Sequence, residues 1–227
     1  MGDEGRCRRS RCTRRTSGGI SRAHFSPNTH LTGEALGLFY AGVLFREFAD
    51  APRWRELGAR ILLTESRRQI TADGVHFEQS TCYQRYTIDI YLHFLLLAAR
   101  NGISVPPALS DKRHGAWWSS CCRCASQMDR IPLIGDVDGG ALLPLTRRGP
   151  DDARGIFAVA AATFDRSDFA WAAQGLAPEV PWLLGRAGEH AFEALRPACA
   201  ARSGVARVSR GRLRRSCAAA GIAMRTR

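Results

Sequence analysis

The sequence predicts an all-α protein of antiparallel helical hairpins joined by long polar loops. Apolar residues recur at intervals of three and four in several segments, which puts them on one face of a helix. Residues that start and stop helices bracket those segments. No stretch keeps the apolar-polar alternation of a half-buried strand.

Ser26-Pro27-Asn28-Thr29 is a turn or capping stretch. After it, Leu31, Ala35, Leu38, Gly42, Phe45 and Ala49 form the stripe of a first helix. Asp50-Ala51-Pro52 restarts a helix, since proline is tolerated in a first turn, and Trp54, Leu57, Ile61 and Leu62 are its inner face. Asp73-Gly74 is a turn. Ser80 caps a third helix whose inner face includes Ile88, Tyr91 and Leu95, and Asn101-Gly102 stops it. Pro106-Pro107 begins a loop, and a further helix is expected from Ser110, although Trp117-Trp118-Ser119-Ser120-Cys121-Cys122 has poor periodicity. Residues 131–149 read as a long loop around Gly135-Asp136-Val137-Asp138-Gly139-Gly140, with Asp136 and Asp138 as turn formers. Asp151-Asp152 opens an Ala-rich helix through Phe164. Asp165 or Ser167 caps a short helix ending near Gly175, and Pro178 to Leu184 supplies another turn or two.

Composition bounds the function. The 227 residues allow one to two domains, and the 45% apolar content is enough for a core. The formal net charge is +12, but it sits at the ends. Residues 1–22 carry seven Arg against Asp3 and Glu4, and residues 186–227 carry ten Arg against Glu189 and Glu193. The expected organisation is a basic, disordered tail over residues 1–25, a helical body over 26–196, and a second such tail over 197–227. A nearly neutral body argues against a specific nucleic-acid face built into the fold; the tails would meet acidic polymers only nonspecifically. The longest apolar run, Ile90 to Ala99, falls short of the about 20 residues that a membrane span requires. No signal peptide is visible, because the Arg-rich start has no apolar stretch.

Of eight cysteines, Cys121, Cys122 and Cys124 cluster near His114. A tetrahedral zinc site usually needs two spaced pairs, and the second is missing, so neither a metal nor another cofactor is expected.

Three blocks resemble the heparinase II/III-like polysaccharide lyases, in that family's order. They are Ser26 to Gly37 (SPNTHLTGEALG), Phe77 to Tyr86 (FEQSTCYQRY) and Ile131 to Gly140 (IPLIGDVDGG). The resemblance extends over residues 26–109 and 129–196 and implies a partial (α/α) toroid. It also implies β-elimination on a uronic-acid-containing acidic polysaccharide, and a periplasmic or cell-envelope setting. The C5 proton of a uronate is weakly acidic, so a polar group must first hold the carboxylate and stabilise the developing charge. A Tyr or His then moves the proton, and a Tyr commonly protonates the departing glycosidic oxygen. That logic needs no metal.

The resemblance maps onto individual residues. Tyr83 corresponds to the catalytic Tyr, as proton-transfer residue, and His30 to the helix-start His, as base or charge neutraliser. Asn28 is the carboxylate binder. Glu78 and Gln79 match the motif as orienting or sugar-binding groups, and Tyr86 shares the helix face of Tyr83. Two departures stand out. The family often has Asn directly before the His, where this chain has Thr29, and His after the Tyr, where it has Gln84. Residues 1–25, 111–128 and those beyond 197 also break the pattern, as reading-frame shifts in the coding DNA would. Activity from this chain alone is expected to be weak or absent. The alternative reading is a non-catalytic helical carbohydrate-binding or scaffold module.

Overall fold

A computed structural model of the chain describes residues 27–72, 74–106, 109, 130–138 and 140–195. Both basic tails, the helix expected from Ser110, Trp117, Trp118 and the cluster of Cys121, Cys122 and Cys124 with His114 lie outside the described residues. The described residues hold six helices, α1 (Thr29–Leu44), α2 (Ala51–Gln69), α3 (Thr81–Arg100), α4 (Arg154–Phe164), α5 (Ser167–Ala173) and α6 (Glu179–Ala194). Their one β feature is an isolated antiparallel bridge between Ile70 and His76. The all-α expectation stands. The chain divides into two compact units, Met1–Glu78 with Tyr86–His114, and Gln79–Arg85 with Gly115–Arg227.

In the first unit α1 packs against α2 at two glycines. A Cβ on Gly58 would meet the Ala35 carbonyl at 2.5 Å and the Phe39 amide at 2.7 Å, and one on Gly42 would meet Arg55 N at 2.4 Å. Glycine at these points lets the backbones approach. Pro52 lies in the first turn of α2, as expected. The core gathers Leu31, Ala35 and Phe39 from α1, Trp54 and Leu62 from α2, and Ile88, Tyr91 and Phe94 from α3. Phe39 and Phe94 meet edge to face with centroids 4.8 Å apart, and the Tyr91 hydroxyl donates to the Leu62 carbonyl at 2.8 Å. α1 ends at Leu44, earlier than its apolar stripe predicts, and Phe45 and Ala49 are exposed beyond it. α3 stops as predicted. Gly102 has φ +63°, and Ile103 N donates back to the Ala98 carbonyl at 2.9 Å, a Schellman closure.

In the second unit α4 packs on α5 and α6. α4 begins at Arg154, later than Asp151-Asp152 predicts, with Ala153 as its N-cap; Asp152 lies just ahead of the helix and accepts the Arg154 backbone N–H at 3.1 Å. Asp165 instead closes α4 in a left-handed conformation, and Arg166 precedes α5 without a side-chain cap. α6 runs well past the predicted Leu184, because Gly185 (φ 68°) bends the chain and the helix resumes to Ala194.

Two glycine substitutions separate close packing from helix propensity. Gly37 faces open space, so Gly37→Ala should raise stability by about 0.5–1 kcal/mol. Gly58→Ala must push α1 and α2 apart and should lower it by about 1–3 kcal/mol. Urea unfolding of the two variants is the measurement, and equal shifts would show that the α1–α2 contact is looser than described.

Candidate functional site

The first motif is the start of α1. Its four leading N–H groups have no partner within the helix and need acceptors. Asn28 is the N-cap: its Oδ1 accepts His30 N–H at 3.1 Å, and its carbonyl accepts Leu31 and Thr32 N–H at 3.0 and 3.3 Å. The remaining donor, Thr29 N–H, reaches the Glu78 carboxylate at 3.3 Å. A carboxylate is favoured there because helix N-termini carry partial positive charge. Asn28 is half-buried, Thr29 is buried and His30 is exposed.

Glu78 is tied to a buried polar chain. His76 is fully buried, and its Nδ1 accepts Glu78 N–H at 3.4 Å. A nitrogen that accepts carries no proton, so the imidazole proton sits on Nε2 and is donated to Gln69 Oε1 at 3.1 Å. Gln69 Nε2 then donates to Glu65 Oε2 at 2.9 Å and to the Asn28 carbonyl at 3.4 Å. Burial drives the pKa of His76 down to about 4, so the ring is neutral at physiological pH. Phe77 N donates to the Gln69 carbonyl at 2.8 Å and fixes this loop against the end of α2.

Tyr86, half-buried on α3, sets its hydroxyl over Gly33, where a Cβ would lie 3.2 Å away. Gly33 follows His30 by one turn on the same face of α1.

The second unit holds the start of α3 and the third motif. Gln79 is exposed and adopts φ +54°, a strained setting for a residue other than glycine. Ser80 caps α3 as predicted, accepting Tyr83 N–H at 3.2 Å and donating to the Asp136 carbonyl at 2.6 Å. Thr81 N donates to the Ile134 carbonyl at 3.0 Å, while Ile134 N donates to Thr81 Oγ1 at 3.0 Å. Gly135 is required twice over. Its φ is +76°, and a Cβ there would come within 3.1 Å of Ser80. Arg85, buried, donates through Nη2 to the Gly140 carbonyl. Asp138 accepts Gly140 N–H at 3.4 Å, the turn role expected of it. Tyr83 is half-buried in the first turn of α3, Gln84 beside it is buried, and Cys82 is a buried free thiol.

Asn28, His30, Glu78 and Tyr86 thus lie in the first unit, and Gln79 and Tyr83 in the second. His76, Gln69 and Glu65 escaped the sequence reading. Their only signal was polarity on the inner face of a predicted helix and next to the Phe77 motif. Among the described residues no group of His, Cys, Asp and Glu is placed to hold a metal ion, and no helix is long and apolar enough to cross a membrane.

Residues 20–109 match the family described as Heparinase II/III N-terminus, a span holding all six candidate residues. The chain is similar to three heparin-sulfate lyases. It is 42% identical to that of Pedobacter heparinus over 73 residues, 32% of this chain and 11% of the relative. It is 38% identical to that of Bacteroides stercoris over 69 residues (30% and 10%) and 35% identical to that of Bacteroides thetaiotaomicron over 74 residues (33% and 10%). The chain spans about a tenth of the length of the curated relatives it matches. No solved structure matches it.

The buried His76 has a consequence in solution. The unfolded chain protonates this histidine near pH 6.5, the folded chain only near pH 4. Its contribution to stability is therefore complete above about pH 6.5 and is lost as the pH falls toward 4, on the order of 3 kcal/mol. Urea unfolding between pH 4 and 7 should show that slope, and His76→Gln should flatten it. An unchanged slope in the variant would assign it elsewhere.

Proposed function

We propose, from the match of residues 20–109 to the Heparinase II/III N-terminus family, that this chain is part of a polysaccharide lyase acting on uronic-acid-containing glycans. The helical hairpins over residues 26–196 form part of an (α/α) toroid in this reading. The setting is the periplasm or cell envelope, and the partner is an acidic polysaccharide of the heparin and heparan sulfate type. The observation that carries the reading is the 42% identity to a heparin-sulfate lyase, together with a family match that includes Asn28, His30 and Tyr83.

The chemistry is a β-elimination. The C5–H bond breaks, its electrons become the C4–C5 double bond, and the C4–O bond breaks as the leaving oxygen takes a proton. Asn28 already commits Oδ1 to the His30 amide, so Nδ2 is the end that donates to the uronate carboxylate and stabilises the enolate-like charge. Tyr83 transfers the proton, and exposed His30 acts as base or as neutraliser. Gln79 and Tyr86 contact sugar, while Glu78 works from behind by holding the Asn28–His30 turn. No metal or cofactor enters these steps.

The short span relative to the curated relatives favours a second reading, a helical carbohydrate-binding or scaffold module without turnover. Release of unsaturated uronate from heparan sulfate, measured beside binding of a heparan sulfate oligosaccharide, separates the two. In the lyase reading Tyr83→Phe lowers turnover by about 10²–10⁴-fold and leaves affinity within about threefold. Binding without turnover in either protein supports the module, and neither binding nor turnover overturns both.

A further inference from the structure

We infer that His76 is a positioning residue for the turn that presents Asn28 and His30; the inference rests on the role given to that turn under the proposed function. His76 reaches that turn at its backbone. It acts through a hydrogen-bonded chain in which every donor faces one acceptor: Thr29 N–H to Glu78 Oε2, Glu78 N–H to His76 Nδ1, His76 Nε2–H to Gln69 Oε1, and Gln69 Nε2–H to Glu65 Oε2. Gln69 Nε2 also reaches the Asn28 carbonyl. The chain therefore grips the backbone of Asn28 and Thr29 from both sides.

The order of donors matters. A second proton on His76 would replace the Nδ1 acceptor with a donor facing the Glu78 carboxylate, which lies 3.7 Å from Nδ1. The Glu78 N–H would then lose its partner, and the carboxylate would be drawn toward the imidazolium and away from Thr29 N–H. Among the described residues, groups facing the ring include Gln69, Glu78 and the Phe77 ring, with Glu65 one bond further. A glutamine at position 76 has one acceptor and one donor end and is able to replace both bonds of the neutral ring, whereas alanine replaces neither.

The test uses the whole chain and a heparan sulfate tetrasaccharide as probe. His76→Ala should shift the backbone amide resonances of Thr29 and His30 and weaken binding by about tenfold or more. His76→Gln should return both toward the wild type. Val180→Ala, which removes buried core from α6 in the second unit, should lower stability with affinity unchanged. Should His76→Ala fail to fold, Glu78→Ala cuts the same chain at a half-exposed residue and should give the same amide shifts. Unmoved Thr29 and His30 amides in a folded His76→Ala or Glu78→Ala protein overturn the inference. So does wild-type affinity in those variants. A wild-type chain that does not bind the tetrasaccharide counts against the proposed function, and the amide shifts still decide the role of His76.

Discussion

Helix N-termini expose N–H groups that must find acceptors, and the segment from His76 to Ser80 answers that demand for two helices. Glu78 takes the first donor of α1, and Ser80 takes a donor in the first turn of α3. Between them Gln79 accepts a left-handed backbone, strain of order 1 kcal/mol that the flanking caps hold in place. The sequence run Phe77-Glu78-Gln79-Ser80 therefore has a structural logic that precedes any catalysis. The same holds for the loop from Ile131 to Gly140. Gly135 closes onto Ser80, Thr81 and Ile134 exchange bonds, and Arg85 reaches the Gly140 carbonyl, so this loop and the start of α3 form a single folded feature.

Buried polar groups are tolerated only when their partners are buried with them, and the two units solve this differently. The first uses neutral or singly charged chains. His76 is kept neutral by burial, and buried Glu65, joined to it through Gln69, is also met by the exposed Arg68 at 3.3 Å. His93 follows the same course: burial lowers its pKa against the pull of Asp89, and Tyr40 meets its Nδ1 at 2.7 Å. The second unit uses arginine. Burial resists ionisation of Asp152, but the hydrogen bonds from Arg154 and the charges of Arg148 and Arg154 outweigh it and take the carboxyl down to about 2. Glu179 is held below its ordinary value the same way, by Arg148 and Thr146, and Gly155 leaves the room its carboxylate occupies.

Local signals were legible in the sequence and long-range ones were not. Asn28, Pro52, Ser80 and Gly102 do what their residue types predict, because capping and turn chemistry involve neighbours in the chain. The end of α1 misled because Phe45 and Ala49 continue a periodic stripe past the last helical turn. The second half of α6 was hidden by Gly185, which reads as a stop and acts as a bend. Asp165 looks like a helix start and serves as a left-handed helix end. His76 was invisible for a different reason: its partners Gln69 and Glu65 stand 7 and 11 positions away on another element, and no local pattern marks them.

The departure at position 29 also has a physical explanation. In the motif of the resembling lyases an Asn directly precedes the His, whereas here Thr29 does and Asn28 comes one residue earlier. Position 29 is the first residue inside α1, and Thr29 is only 2% exposed. Its N–H is bound by Glu78, and its carbonyl accepts the Thr32 hydroxyl at 3.0 Å. An amide at that position would have to enter the core, where its four hydrogen-bonding sites would need partners. Position 28 is the cap, with a non-helical backbone and a half-buried side chain, and there one end of an amide satisfies the helix while the other end is the one the proposed carboxylate-binding role uses. The helix start that selects Asn28 as a cap is thus also what allows it to present a donor, and the absence of Asn at position 29 does not remove the amide from this end of α1.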